Sequence, residues 1–246
     1  MDKSINKYIA ETGFCSRREA DKYIEQGRVT INDNIASKGN RVEEGDVVEI
    51  DGEPLKKKKL PVYIALNKPK GITCTTDLKD KTNIIDYVNY KSRIFPIGRL
   101  DKLSEGLIFL TNDGDIVNKI LRAGNQHEKE YIVTVDKPIT PDFIKTMRSG
   151  VRILGVYTKK CFVQQEGPQR FKIILTQGLN RQIRRMCETL GYRVETLKRT
   201  RIMNMTLKDL PPGKWRFFTK DEVTAINTLV ANSSKTEKGD EGGMDE

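Results

Sequence analysis

Apolar residues recur at helical spacing at the start of the chain, where Ile5, Tyr8 and Ile9 predict a short helix that the stretch ETGFCS interrupts. A second helix is predicted over SRREADKYIEQG, because Ser16 followed three residues later by Glu19 is a capping-box pair and Gly27 supplies a C-terminal stop. Two strand-like runs, RVTIND and DVVEIDG, come next. The lysine run Lys56 to Lys59 repels itself and sets a linker at about residues 54–61. Beyond it, strand-like runs (VYIALNKP, GLIFLTND, KEYIVTVD, KCFVQQ, FKIILTQG) are interspersed with helical ones (TNIIDYVN, DIVNKILRAG, TPDFIKTMRSG, NRQIRRMCETLG). No regular βαβ repeat is visible. The pattern predicts an α+β chain: a small domain over residues 1–56, then a larger one over 60–230 built on a mostly antiparallel mixed sheet with flanking helices. The tail, 231–246, is small, polar and acidic and is expected to be disordered.

Charge changes this picture by locating a partner. The formal net charge is +10, and the excess is confined to one segment: residues 60–230 hold 30 of the 44 Lys and Arg against 17 of the 34 Asp and Glu. Such a field favours a polyanion, because each neutralised phosphate releases condensed counterions. Nucleic acid fits better than an anionic membrane, since no basic amphipathic helix is evident. The chain lacks an apolar run long enough to cross a bilayer, and MDKSINKYIAETG lacks the apolar core of a signal peptide. A cytoplasmic protein with no membrane partner is expected, with monomer as the default state.

Several chemistries can be set aside. The single histidine, His127, cannot make a metal cluster, and Cys15, Cys74, Cys161 and Cys187 are too far apart for a zinc knuckle. Free thiols are expected. NDGD (Asn112 to Asp115) lacks the distal bidentate glutamate of a calcium loop and reads as a turn leading into a helix. No Walker or dinucleotide glycine pattern occurs, so neither a metal nor a nucleotide cofactor is implied.

One carboxylate stands out. Asp101, in PIGRLDKLSEGLIFLTNDGD, lies between Arg99 and Lys102 and just ahead of the apolar run Leu107 to Leu110, whose strand would hold it rigidly at the edge of a cleft. The most basic stretch of the chain comprises Arg181, Arg184, Arg185, Arg193, Lys198, Arg199 and Arg201. On a helix, Arg181, Arg184 and Arg185 share one face, so one of them can pair with Asp101 while the others hold phosphates. Arg17, Arg18, Lys22 and Arg28 form a second basic cluster around the second predicted helix, alternatively an ordinary solvated face.

The segment INKYIAETGFCSRREADKYIEQGRVTIND resembles an S4 domain, a small RNA-binding module, which implies that its helix pair presents basic side chains to folded RNA. NKPKG (Asn67 to Gly71), GRLD (Gly98 to Asp101), KEY (Lys129 to Tyr131) and QGLNRQIRRM (Gln177 to Met186) occur in the order of the motifs of the pseudouridine synthases. The resemblance covers nearly all of the chain up to the tail. It is to the branch that acts on ribosomal RNA and carries an N-terminal S4 domain, and within it to the F type of large-subunit synthase. Where many relatives have a glycine, this chain continues RTRIMNM (Arg199 to Met205).

The resemblance implies isomerisation of uridine to pseudouridine in structured RNA, large-subunit (23S) ribosomal RNA first and a tRNA second, without a cofactor. It implies that Asp101 is catalytic, as nucleophile at C1′ of the ribose or as base toward the C2′ proton. Arg184 matches the cation that pairs with it, Tyr131 the aromatic that stacks on the target base, and Leu197 the apolar residue across the uracil pocket. Arg99 is placed to fill the space left by a flipped base. Two other classes compete: a non-catalytic RNA-binding factor, and a glycosidase-like hydrolase using Asp101 and Glu105. The second is poor, because a helical i, i+4 pair lacks the opposed carboxylates that glycoside hydrolysis needs.

Overall fold

The computed structural model describes residues 2–56, 60–121 and 126–231. The expected disordered tail from residue 232 and the lysines at 57–59 lie outside the described residues. The backbone divides into two compact units, Met1–Val62 with Lys91–Arg93 and Asn112–Gly114, and Tyr63–Tyr90 with Ile94–Thr111 and Asp115–Glu246.

The first unit opens with β1 (Lys3–Ser4), α1 (Ile5–Thr12) and α2 (Arg17–Glu25), followed by β2 (Val29–Ile31), β3 (Asn34–Ile35), β4 (Arg41–Val42), β5 (Val48–Ile50) and β6 (Glu53–Pro54). The expected capping box closes α2: the Ser16 hydroxyl accepts from the Glu19 N–H while the Glu19 carboxylate accepts from the Ser16 N–H. Ile5, Ile9, Ala20 and Ile24 bury the inner faces of the helices against Val29, Val48 and Ile50 of the antiparallel sheet β3-β2-β5-β6. β6 reaches into the expected linker.

The second unit comprises β7 (Tyr63–Lys68), α3 (Ile84–Val88), β8 (Phe95–Ile97), β9 (Glu105–Thr111), α4 (Gly114–Leu121), β10 (Lys129–Val135), α5 (Pro141–Ser149), β11 (Arg152–Ile153), β12 (Val156–Tyr157), β13 (Phe162–Gly167), β14 (Arg170–Leu175), α6 (Gln182–Thr189), β15 (Val194–Ile202), β16 (Met205–Thr206), β17 (Trp215–Phe217) and α7 (Lys220–Val230). Its sheet runs β13-β14-β10-β15-β9-β7-β17, with β16 on β15 and β8 on β9. All pairings in it are antiparallel except β15 with β9, where Lys198 faces Glu105 and Arg199 faces Gly106. This junction divides the core. Val133, Phe171 and Ile173 pack with α5 and α6 on one side, and Leu107 and Phe109 with α4 and α7 on the other. Each such fully buried side chain contributes about 1.5–3 kcal/mol.

Gly106 permits the junction. Its φ is +108°, and a Cβ there would stand 2.2 Å from the Arg199 carbonyl oxygen. Only a residue without a side chain lets the two backbones approach this closely.

Candidate active site

β9 begins at Glu105, so the chain enters it through a turn, Asp101 to Ser104, closed by the Ser104 N–H donating to the Asp101 carbonyl at 2.9 Å. Asp101 and Glu105 are therefore on a turn and a strand, without the helical spacing assumed for a carboxylate pair. The segment after β7 braces the turn. The Gly71 N–H donates to the Lys102 carbonyl at 2.8 Å, and the Leu100 N–H donates to Cys74 Sγ at 3.4 Å. Lys68, wholly buried, donates from Nζ to the Pro69 and Ile72 carbonyls, each at 2.9 Å. Burial pushes its ammonium below the ordinary lysine value, with Cys74, Asp101 and Glu105 pulling the other way.

Two guanidiniums converge on one oxygen of Asp101. Arg184 Nε lies 3.4 Å from Oδ2 and Arg181 Nη1 lies 3.6 Å from the same atom. The expectation that a single arginine pairs with Asp101 is thereby corrected to two. The expectation of a shared helical face is corrected as well, because α6 starts at Gln182 and Arg181 is its N-cap residue, with φ 49° and ψ 36°. A left-handed conformation costs a non-glycine residue roughly 1–2 kcal/mol. Arg184 is buried in the first turn of α6, with Nη1 donating to the Val194 carbonyl and Nη2 to Ser104 Oγ. Arg185 is turned elsewhere, donating from Nε and Nη2 to the Asn180 carbonyl and side-chain oxygens.

The cavity over Asp101 is lined by Tyr131 of β10, Leu197 of β15, Arg99, Ser104, Arg181 and Arg184. Six of the residues singled out from sequence thus meet here: Asp101, Tyr131, Arg184, Leu197, Arg99 and Arg181. An aromatic and an apolar wall beside a carboxylate suit a flat heterocycle whose attached carbon meets the oxygen. Lys102 is exposed on the turn, outside the lining. Arg17, Arg18 and Lys22 are exposed on α2 in the first unit, as the basic cluster requires. Arg28 differs: its guanidinium is forked onto Asp51 and lies 4.4 Å from the Tyr23 ring centroid, so it is already engaged.

Sequence reasoning missed Ser104, Lys68 and Arg199 as supports of the site. Ser104 carries a signal, a small hydroxyl three residues after the carboxylate at the mouth of an apolar strand. Among the described residues the buried charged side chains are Lys68, Lys129, Arg184 and Arg199, all cations. Arg199 donates from Nε to the Leu107 carbonyl at 2.6 Å while its Nη2 is buried without a partner.

Lys129 sits beside this group, and burial, reinforced by the Arg199 charge, pushes it from 10.5 down to about 8. Charging it in the folded protein is costly at neutral pH, and the cost disappears as pH rises. Between about 8 and 10.5 the unfolded chain binds more protons, so the lysine makes stability climb with pH, by up to ~3 kcal/mol. Lys129→Met is therefore expected to melt higher than the native protein at pH 7, with the gap closing by pH 10.5. Thermal melts across that range check this; a gap that does not depend on pH would refute it.

Comparison with known proteins accords with this site. Residues 62–189 match the family described as RNA pseudouridylate synthase, and residues 4–48 match the S4 domain. The dual-specificity RNA pseudouridine synthase RluF of Escherichia coli strain K12 is 58% identical over 236 residues, covering 95% of this chain and 81% of the relative. The ribosomal large subunit pseudouridine synthase B of Bacillus subtilis is 34% identical over 236 residues, covering 92% of this chain and 96% of the relative. A crystal structure of a pseudouridylate synthase superposes with a TM-score of 0.68 at 28% identity, covering 91% of this chain and 99% of that one. These likenesses bear out the family resemblance read from the motifs. With more than half of its length matched and relatives of this identity, the chain belongs to the RNA pseudouridylate synthases, enzymes that isomerise uridine to pseudouridine in RNA, and carries an S4 domain ahead of the catalytic one.

Proposed function

We propose that this chain, acting as a cytoplasmic monomer, isomerises specific uridines in a large-subunit (23S) ribosomal RNA stem-loop and in a tRNA, with Asp101 as the catalytic carboxylate. The observation that carries this reading is an aspartate held on one oxygen by two arginines in a cavity walled by Tyr131 and Leu197. The ribosomal and dual-specificity designations of the relatives support the choice of substrates.

The reaction breaks the bond from ribose C1′ to N1 of uracil, turns the base, and joins C1′ to C5, which gives up its proton while N1 gains one. It is redox-neutral and consumes no water, so a carboxylate acting on the ribose suffices, as nucleophile at C1′ or as base toward the C2′ proton. A base within a stem must first leave it. Tyr131 then stacks on the extruded uracil, an interaction worth about 1–3 kcal/mol, and Leu197 closes the other side. Arg99, exposed beside the cavity, fills the gap in the stem. Arg181 and Arg184 orient Asp101, and Lys102 and Arg185 meet phosphates.

Residues 1–56 anchor the RNA and residues 60–230 perform the chemistry. Arg17 and Arg18 occupy the first turn of α2, where positive charge opposes the helix dipole. An RNA phosphate there offsets that cost, with Lys22 on the same helix. Arg28 joins them only by exchanging Asp51 for a phosphate.

Incubation with unmodified ribosomal RNA and tRNA, without added cofactor, followed by carbodiimide-stop mapping, tests the substrates. New pseudouridine is expected at a large-subunit stem-loop and in a tRNA. Modification of neither RNA, or of small-subunit RNA alone, would overturn the assignment.

A further inference from the structure

The Asp101 and Arg184 pair has an unusual form. Arginine and carboxylate groups commonly meet as two parallel hydrogen bonds, which occupy both oxygens. Here the shortest contact of each cation is with Oδ2, at 3.4 and 3.6 Å, and neither guanidinium makes a hydrogen bond to the carboxylate. Both terminal nitrogens of Arg184 spend an N–H elsewhere, Nη1 on the Val194 carbonyl at 3.3 Å and Nη2 on Ser104 Oγ at 3.1 Å, and the two bonds fix the plane of the guanidinium. In that plane Nε is the nitrogen nearest the carboxylate. At 3.4 Å that nitrogen is buried and makes no hydrogen bond, so it attracts the aspartate without locking it. Ser104 is itself 1% exposed and closes the turn that carries Asp101, so its hydroxyl is fixed relative to both partners.

We propose that Ser104 is a positioning residue for the isomerisation: its hydroxyl holds Arg184 with Nε toward Oδ2, so that the guanidinium attracts the Asp101 carboxylate without locking it away from the ribose. The inference rests on the reading of Asp101 as the catalytic carboxylate. Without the Ser104 hydroxyl, Nη2 loses its acceptor and the nearest anionic replacement is Asp101 itself. A hydrogen-bonded pair then forms and the carboxylate is locked away from the ribose. Arg184 stays in place and the Tyr131 and Leu197 walls are untouched, so RNA binding is preserved while chemistry slows.

The test is single-turnover kinetics on a substrate stem-loop over a range of protein concentrations, which separates the rate at saturation from the apparent Kd. Ser104→Ala is expected to lower the saturating rate about 10- to 100-fold, the scale of an ångström misplacement, with Kd within about twofold. Ser104→Thr, which keeps the hydroxyl, is expected to recover the rate to within about fivefold of native. A loss confined to Kd, a native saturating rate in Ser104→Ala, or a Thr variant as slow as the Ala variant would each overturn the proposal. Should Ser104→Ala fail to show a cooperative melt, Ser104→Cys, of the same shape but slightly larger and with a weaker acceptor, replaces it with the same expectation. Asp101→Asn run alongside distinguishes the two levels. If it stays active, the reading of Asp101 fails; if it is dead while Ser104→Ala is native, only the role of Ser104 fails.

Discussion

Asp101→Asn is expected to reduce conversion of uridine in a substrate stem-loop by ~10⁴-fold or more, the scale seen when a nucleophile or its partner is removed, with RNA affinity unchanged or tighter. Asparagine has the same shape, so the turn closed by the Ser104 N–H and the braces from Gly71 and Cys74 persist. What disappears is an anion between Arg181 and Arg184. Those guanidiniums then face the cavity uncompensated, which draws a phosphate backbone closer. An amide is too weak a nucleophile and too weak a base to act on the ribose. Pseudouridine formation replaces the hydrogen on C5 of uracil, so tritium release from C5-labelled RNA reads the reaction directly, and filter binding reads affinity. Appreciable tritium release by the variant would show that another group does the chemistry. A parallel loss of binding would show that Asp101 chiefly holds the site together.

The parts legible in the sequence were those where one local rule acts without competition. The capping box at Ser16 and Glu19, Thr140 at the start of α5, and the apolar runs of β7 and β9 depend on near neighbours alone. β15 was not legible as a strand. It is nine residues long and central, yet its buried positions include Arg199, and its other charges make VETLKRTRI read as a basic patch. A guanidinium satisfied by a carbonyl of the neighbouring strand, Leu107, defeats any count of hydrophobic alternation. Arg181 was misplaced for a related reason: helical spacing gives no warning of a left-handed residue just before a helix. The hairpin of β11 and β12, and the closing elements β17 and α7, were passed over because they are short or weakly patterned. For the site, the ordered motifs held Asp101, Tyr131 and Arg184, and the family resemblance added Leu197. The placement of the Arg184 guanidinium, the shared Oδ2 and the buried cations depend on α6 and the strands β7 and β10 meeting the crossing of β9 and β15, which no local pattern encodes.

That crossing makes Gly106 the position where one added methyl should do the greatest structural damage. Gly106→Ala is expected to destabilise the catalytic unit by ~4 kcal/mol or more, at the severe end of single substitutions, and to lower its melting temperature by roughly 10 °C. Two costs combine. The backbone is held at φ +108°, which an L side chain rarely adopts, and the Cβ would stand 2.2 Å from the carbonyl oxygen and 2.6 Å from the nitrogen of Arg199. Both obstructing atoms are backbone of β15, so no rotamer change relieves the clash and the strands must separate. Asp101 enters from the β9 side of this junction, whereas Leu197 lies on β15 and Tyr131 on its neighbour β10. Separation therefore pulls the carboxylate away from the walls that hold the base, and any folded fraction should bind RNA yet isomerise poorly. Gly155→Ala is the control, because Gly155 has φ +81° with open space where its Cβ would go. It carries the conformational cost alone, about 1–2 kcal/mol. If the two variants melt together, the close approach of β9 and β15 is not what the glycine is there to allow.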